Sequence, residues 1–203
     1  MKEETPPLLY NVASLKPAQR KSMSSQNDSN LVWMDLEMTG LDPKTCFIIE
    51  IASIVTDKEL NLIAQGPSLV IHQPQPVLDA MDEWNKKHHG ESGLIEAVQK
   101  STISLEEAEK RTLAFISQYS KAKSSPLCGN TIYQDRRFLI EYMPTLENHL
   151  HYRLVDVSTI KELVKRWYGP EFQSPQKKQK HKALDDILET IEELKFYRKM
   201  VFK

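Results

Sequence analysis

Residues 31–38 read LVWMDLEM and, after TGLDPKTC at 39–46, residues 47–56 read FIIEIASIVT. Both are short runs rich in β-branched and aromatic side chains, and Gly40, Asp42 and Pro43 interrupt them, so the pattern predicts two strands joined by a turn. Residues 57–61 make a second turn before a third extended run over 62–72. Three strands, mostly antiparallel, therefore open the folded domain. Upstream, residues 1–29 mix prolines, serines and charges without a sustained apolar period, which predicts a poorly ordered extension and a domain over 30–203.

Downstream the period changes. After Pro74 and Pro76 it is helical over 77–88, is broken at Gly90 and Gly93, and resumes over 94–100. Ser104 followed by Glu107 has capping-box spacing, and Leu105, Ala108, Leu113, Phe115 and Ile116 line one helical face in the stretch before Pro126. The rest reads as a buried strand over 126–130, a helix over 135–143 stopped by Pro144, a strand over 153–157 and a helix over 158–167. A loop at 169–180 and a last helix at 183–199 complete it. A meander followed by alternating strands and helices predicts an α/β fold, a mixed β-sheet flanked by α-helices.

Composition narrows the function classes. The chain has 203 residues, Lys+Arg 27 against Asp+Glu 28, and 40% hydrophobic residues, which suits one soluble globular domain. No apolar run reaches the ~18 residues of a membrane span, and the longest, over 47–55, is interrupted by Glu50 and Ser53, so no membrane partner is expected. Cys46 and Cys128 are too few for a disulfide framework or a cysteine-rich zinc site and read as ordinary buried thiols in a reducing compartment. The N-terminus lacks the apolar core of a secretory signal. Arg20, Lys21 and the serines up to Ser29 give it some transit-peptide flavour, which Glu3, Glu4 and Asp28 oppose, and the expected location is cytoplasmic. A net charge of −1 supplies no global field for nucleic acid, so a polyanion needs a local site or a metal.

Such a site is written into the first strand. Asp35 and Glu37 are two residues apart, and the period of a strand puts both carboxylates on one side of the sheet. Alone, an Asp-x-Glu pair also fits a solvated strand end. Asp135, however, follows the buried strand at a strand-helix junction, and Asp186 enters the last helix five residues after His181. Four carboxylates and one imidazole offer hard oxygen ligands, which suit Mg²⁺ or Mn²⁺ better than zinc.

The residues 35–43 (DLEMTGLDP), 128–130 (CGN), 134–139 (QDRRFL), 156–159 (DVST) and 181–187 (HKALDDI) resemble the oligoribonuclease family, small 3′-to-5′ exoribonucleases of the histidine-containing branch of the DEDD exonucleases. The resemblance runs from about Asn30 to Lys199. It implies a ribonuclease H-like (DEDD exonuclease) fold and the degradation of short RNA oligonucleotides, dinucleotides especially, to mononucleotides. It further implies two divalent metal ions held by Asp35, Glu37, Asp135 and Asp186, with His181 as general base. Trp84 and Leu41 would hold the bases, and His89, Thr131 and Ser158 would meet the substrate. Tyr152 and Arg153 would reach in from the second subunit of a homodimer. The chain departs from the family at Thr131, where serine is common; threonine keeps the hydroxyl and adds a methyl. Trp84 has an ordinary core reading beside this one, Tyr152 and Arg153 that of a strand-edge aromatic and a surface charge. Lys177, Lys178, Lys180 and Lys182 read as a solvated loop face.

Overall fold

A computed structural model of the chain describes residues 26–174 and 182–202. His181, Lys177, Lys178, Lys180 and residues 1–25 lie outside the described residues. Of the expected extension, residues 26–29 lie against the end of a helix: Gln26 Nε2 donates to Ser117 O at 2.6 Å and Asn27 N to Tyr119 O at 3.2 Å.

The two opening runs form β1 (Leu31–Met38) and β2 (Ile48–Thr56), paired antiparallel with Asp35 opposite Ala52 and Glu37 opposite Glu50. The third run is two strands, β3 (Leu62–Gln65) and β4 (Leu69–Val70), and both pair antiparallel with β2. The break has a physical cause at Gly66, where a Cβ would meet Ser53 Oγ at 2.4 Å and the Phe115 ring at 2.6 Å. Only a residue without a side chain brings the chain that close to β2 and the helix behind it.

The stretch expected as one helix over 77–88 is two: α1 (Gln75–Asp79) and α2 (Glu83–Glu91). Asp82 separates them, its side chain accepting from Asn85 N at 2.8 Å to cap α2. Gly90 lies inside α2, and the true break is Gly93, at φ 77°, before α3 (Leu94–Lys100). Helix α4 (Leu105–Ile116) starts at Ser104, whose hydroxyl accepts from Glu107 N. After β5 (Leu127–Gly129) and α5 (Tyr133–Tyr142), Pro144 both ends one helix and occupies the first turn of another, α6 (Pro144–His149). Proline suits either place, since it lacks the N–H that a first turn leaves unpaired. Glu109 Oε1 of α4 takes the neighbouring N–H groups of Thr145 (2.7 Å) and Leu146 (3.0 Å). Strand β6 (Leu154–Asp156), α7 (Val157–Trp167), a 3₁₀ turn over Pro170–Phe172 and α8 (Ala183–Met200) complete the chain.

The sheet order is β3-β2-β1-β5-β6, with β5 and β6 parallel to β1. Helices cover both faces, as the mixed α/β class requires. Val32, Met34 and Leu36 point into a core with Ala108 and Ile116 of α4, Phe138 and Leu139 of α5 and Leu146 of α6. Trp33 points the other way, into a core with Val164 of α7 and Ile187, Ile191, Leu194 and Tyr197 of α8. Alternation along β1 therefore sends Asp35 and Glu37 to the face covered by α8. Among the described residues no helix is long and apolar enough to cross a membrane.

Candidate active site

Asp35 and Glu37 lie near the C-terminal end of β1, and the first turn of α8 brings Asp186 to them. One carboxylate oxygen from each of these residues lies within 4.8 Å of the others. At an effective dielectric of about 20, each such pair of full charges repels by roughly 3 to 4 kcal/mol. Something positive, protons or metal, must share the space. Burial raises the Asp35 carboxyl well above its ordinary range, with Asp135, Glu37, Asp186 and Glu50 adding to the shift. Burial likewise pushes Glu37 to about 8, helped by Asp186, Glu50 and Asp135. The donor set of hard, close, proton-retaining oxygens fits a divalent cation.

Asp135 stands beside this trio and is not one of the three. It caps an edge: β1 pairs with β5 at Val32 and Trp33, and beyond that the N–H of Leu36 meets Asp135 Oδ1 at 2.9 Å. Burial pushes Asp135 to about 7 against the lowering pull of that N–H, with Asp156 raising it further. The acid thus fixes the backbone between Asp35 and Glu37.

His89 is buried, 3% exposed, with Nε2 at 3.0 Å from Met38 O and Nδ1 at 3.9 Å from Glu37 Oε2. A carbonyl only accepts, so Nε2 carries the proton. The imidazole therefore ties α2 to the end of β1. On the same helix Trp84 is 59% exposed and stacks on His88 with centroids 3.9 Å apart. This aromatic is a surface platform, and the core reading of it does not apply.

Leu41, 69% exposed, projects from the β1–β2 loop. Its carbonyl accepts from Gln134 Nε2 at 2.5 Å and Arg137 Nη1 at 3.3 Å, and Arg137 also donates to Gln134 Oε1 at 2.8 Å. Thr131 and Ser158 come together past the ends of β5 and β6. Thr131 N donates to Asp156 Oδ1 (2.9 Å) and Ser158 Oγ (3.2 Å), and Ser158 Oγ donates to Asp156 Oδ1 at 2.6 Å. Thr131 has φ 55°, a left-handed conformation rare for a β-branched residue, and these bonds hold it there. Tyr152 is 70% exposed on the turn before β6, with the Arg153 guanidinium 5.4 Å from its ring.

Two acids, Glu50 and Asp156, have roles at the site that the sequence pattern does not assign. Glu50 faces Glu37 across β1 and β2, is buried, and accepts from Ser68 Oγ at 2.6 Å. Its signal was an acid inside an apolar strand. Asp156 organises Thr131 and caps α7 by accepting from Ser158 N at 3.0 Å; an Asp-x-Ser before a helical period was the signal. The two cysteines are free thiols: Cys128 is buried, which raises its pKa, and Cys46 is only half-buried.

The helix-covered mixed sheet carries its clustered acids at the end of its central strand, and the exonuclease family profile (RNase T) matches residues 32–194. Solved structures similar in fold include exonuclease I from Methylocaldum szegediense (TM-score 0.64, 19% identity, 86% of this chain and 41% of that one). Another is the Mg²⁺- and Mn²⁺-bound form of S. pombe Pop2p (TM-score 0.64, 15% identity, 85% and 84%). The chain thus spans about two-fifths of the exonuclease I chain. Among curated proteins it is 58% identical over 178 residues to the oligoribonuclease of Shewanella loihica, covering 87% of this chain and 98% of that one. It is 56% identical over 173 residues to that of Pseudomonas aeruginosa PAO1, covering 85% and 96%. The chain belongs to the oligoribonuclease family of exonucleases and is a nuclease.

Proposed function

We propose that the protein is a 3′-to-5′ exoribonuclease that degrades short oligoribonucleotides, dinucleotides above all, to 5′-mononucleotides, acting in the cytoplasm as a homodimer. The observation that carries this reading is the convergence of Asp35, Glu37 and Asp186 within 4.8 Å. Those three residues, with Asp135 beside them, would hold two divalent ions, Mg²⁺ or Mn²⁺. When bound, the ions supply charge neutralisation at the scissile phosphate and a lower pKa for the attacking water.

The chain's own residues do the rest. Asp135 keeps β1 in register by holding Leu36 N, so the two strand acids face one point. His181, five residues before Asp186, accepts the proton of the water as its oxygen bonds to phosphorus. The P–O3′ bond breaks, and the 3′ oxygen leaves with a proton from solvent. Leu41 and Trp84, both exposed, offer apolar surface to the bases, a contact indifferent to sequence. Thr131 and His89 would meet the phosphate end of the substrate, and Ser158, bonded to Thr131 N, would contact the substrate as well. Tyr152 and Arg153, both exposed, complete the site of the second subunit, where a guanidinium fork suits a terminal phosphate.

The test is cleavage of end-labelled RNAs of two to seven residues by purified protein with Mn²⁺ or with chelator. The proposal expects metal-dependent release of mononucleotides from the 3′ end and the highest kcat/KM on the two-residue RNA. Activity undiminished by chelator, or rising with length, contradicts it.

A further inference from the structure

We propose that Arg136, braced by Glu147, is a positioning residue that presents Tyr152 and Arg153 to the substrate. This rests on the reading above that those two side chains complete the neighbouring subunit's site. Residues 151–153 lie between α6 and β6, where no helix or strand ladder satisfies their backbone, so partners must come from side chains and neighbouring loops. Arg136 Nη1 donates to the carbonyls of Tyr152 (2.8 Å) and His151 (3.3 Å). The other edge of the same guanidinium is occupied: Nε and Nη2 donate to Glu147 Oε1 at 3.1 and 2.5 Å. Arg136 and Glu147 side chains are 16% and 17% exposed, so the pair is largely shielded from water. His151 N donates to Ser125 O at 2.8 Å, and Arg153 N donates to His151 Nδ1 at 3.1 Å.

The turn is thus held from within the molecule before any substrate arrives, while the Tyr152 ring stays exposed and close to the Arg153 guanidinium. A fixed backbone under an exposed aromatic and a cation reduces the ordering cost of binding. The two carbonyls meet Nη1 while the carboxylate meets the separate Nε/Nη2 edge, and the single ammonium nitrogen of a lysine does not span both places, so lysine is no substitute for Arg136.

The experiment measures kcat and KM of the full chain with Mn²⁺ on a 5′-phosphorylated two-residue RNA and a seven-residue RNA. The proteins are wild type, Arg136→Lys, Glu147→Gln, Arg153→Ala and the Arg136→Lys/Arg153→Ala double variant, each with a melt and a light-scattering mass. Arg136→Lys should raise KM on the two-residue RNA about tenfold, equivalent to losing one charge-assisted contact, with kcat within about twofold and the longer RNA little affected. In the Arg153→Ala background the same change should add almost nothing, because both variants disable one device. Glu147→Gln should give a smaller selective rise, and it carries the test if Arg136→Lys does not fold. Additive losses, or equal losses on both lengths, overturn the proposal and make Arg136 a general structural support. An Arg153→Ala protein with unchanged two-residue kinetics overturns the underlying reading of Tyr152 and Arg153, and this proposal with it.

Discussion

His181 is proposed to move a proton and not to ligate metal, and this separates it from the acids around it. His181→Asn should keep Mn²⁺ and substrate affinity within about threefold and lose at least a hundredfold in kcat, the usual range for a general base. Calorimetry with Mn²⁺ beside single-turnover cleavage checks it; a variant that loses metal affinity as badly as turnover makes His181 a ligand. Much at this scale was legible. Alternation along β1 put Asp35 and Glu37 on one face, and the structure sends that face to α8, where Asp186 lies. Glu50 was not legible as a site neighbour, because its place opposite Glu37 depends on strand register, which a local pattern does not contain. The orientation of His89 was equally hidden: its partner Met38 O is 51 positions away in sequence.

Among the elements, α6 shows why some of the fold escaped the sequence. Pro144 stops α5, and the same residue is tolerated in the first turn of the helix that follows, so proline alone does not distinguish the two. What makes α6 viable is Glu109, a residue of α4 that takes the N–H groups of Thr145 and Leu146. Glu109→Ala should destabilise the protein by about 1 kcal/mol, as removal of a helix cap does, while Glu109→Gln, which keeps an acceptor, should cost less. Urea denaturation of the three proteins measures the difference; equal stability of all three contradicts the assigned role. The split between α1 and α2 was hidden for a similar reason. Asp82 reads as one more polar position in an amphipathic run until its bond to Asn85 N identifies it as a cap. Likewise the run at 62–72 looks continuous, and its break at Gly66 is caused by Ser53 and Phe115, both distant in sequence.

Across the whole molecule, the buried acid cluster costs stability in the metal-free protein, which a bound cation would offset. Glu37 at about 8 and Asp135 at about 7, with Asp35 raised beside them, hold protons in the folded state that the unfolded chain releases near its ordinary carboxylate values, about 4. Between those limits the folded state binds more protons than the unfolded one, so stability of the metal-free protein should fall as pH rises from about 5 to 8. At the proposed metal site Mn²⁺ would replace those protons and should reverse the trend. Melts in chelator and in Mn²⁺ across this range check it, and a metal-free Tm independent of pH contradicts it.

These carboxylates are proposed as a metal site first and a proton-holding cluster only by default. The decisive experiment titrates Mn²⁺ into the metal-free full chain at pH 7, in buffers of different ionisation enthalpy, for wild type and Asp35→Asn. A metal site gives saturable binding with proton release by wild type, and loss of both in an Asp35→Asn variant that still melts cooperatively. Equal binding and equal proton release by the two proteins would contradict it.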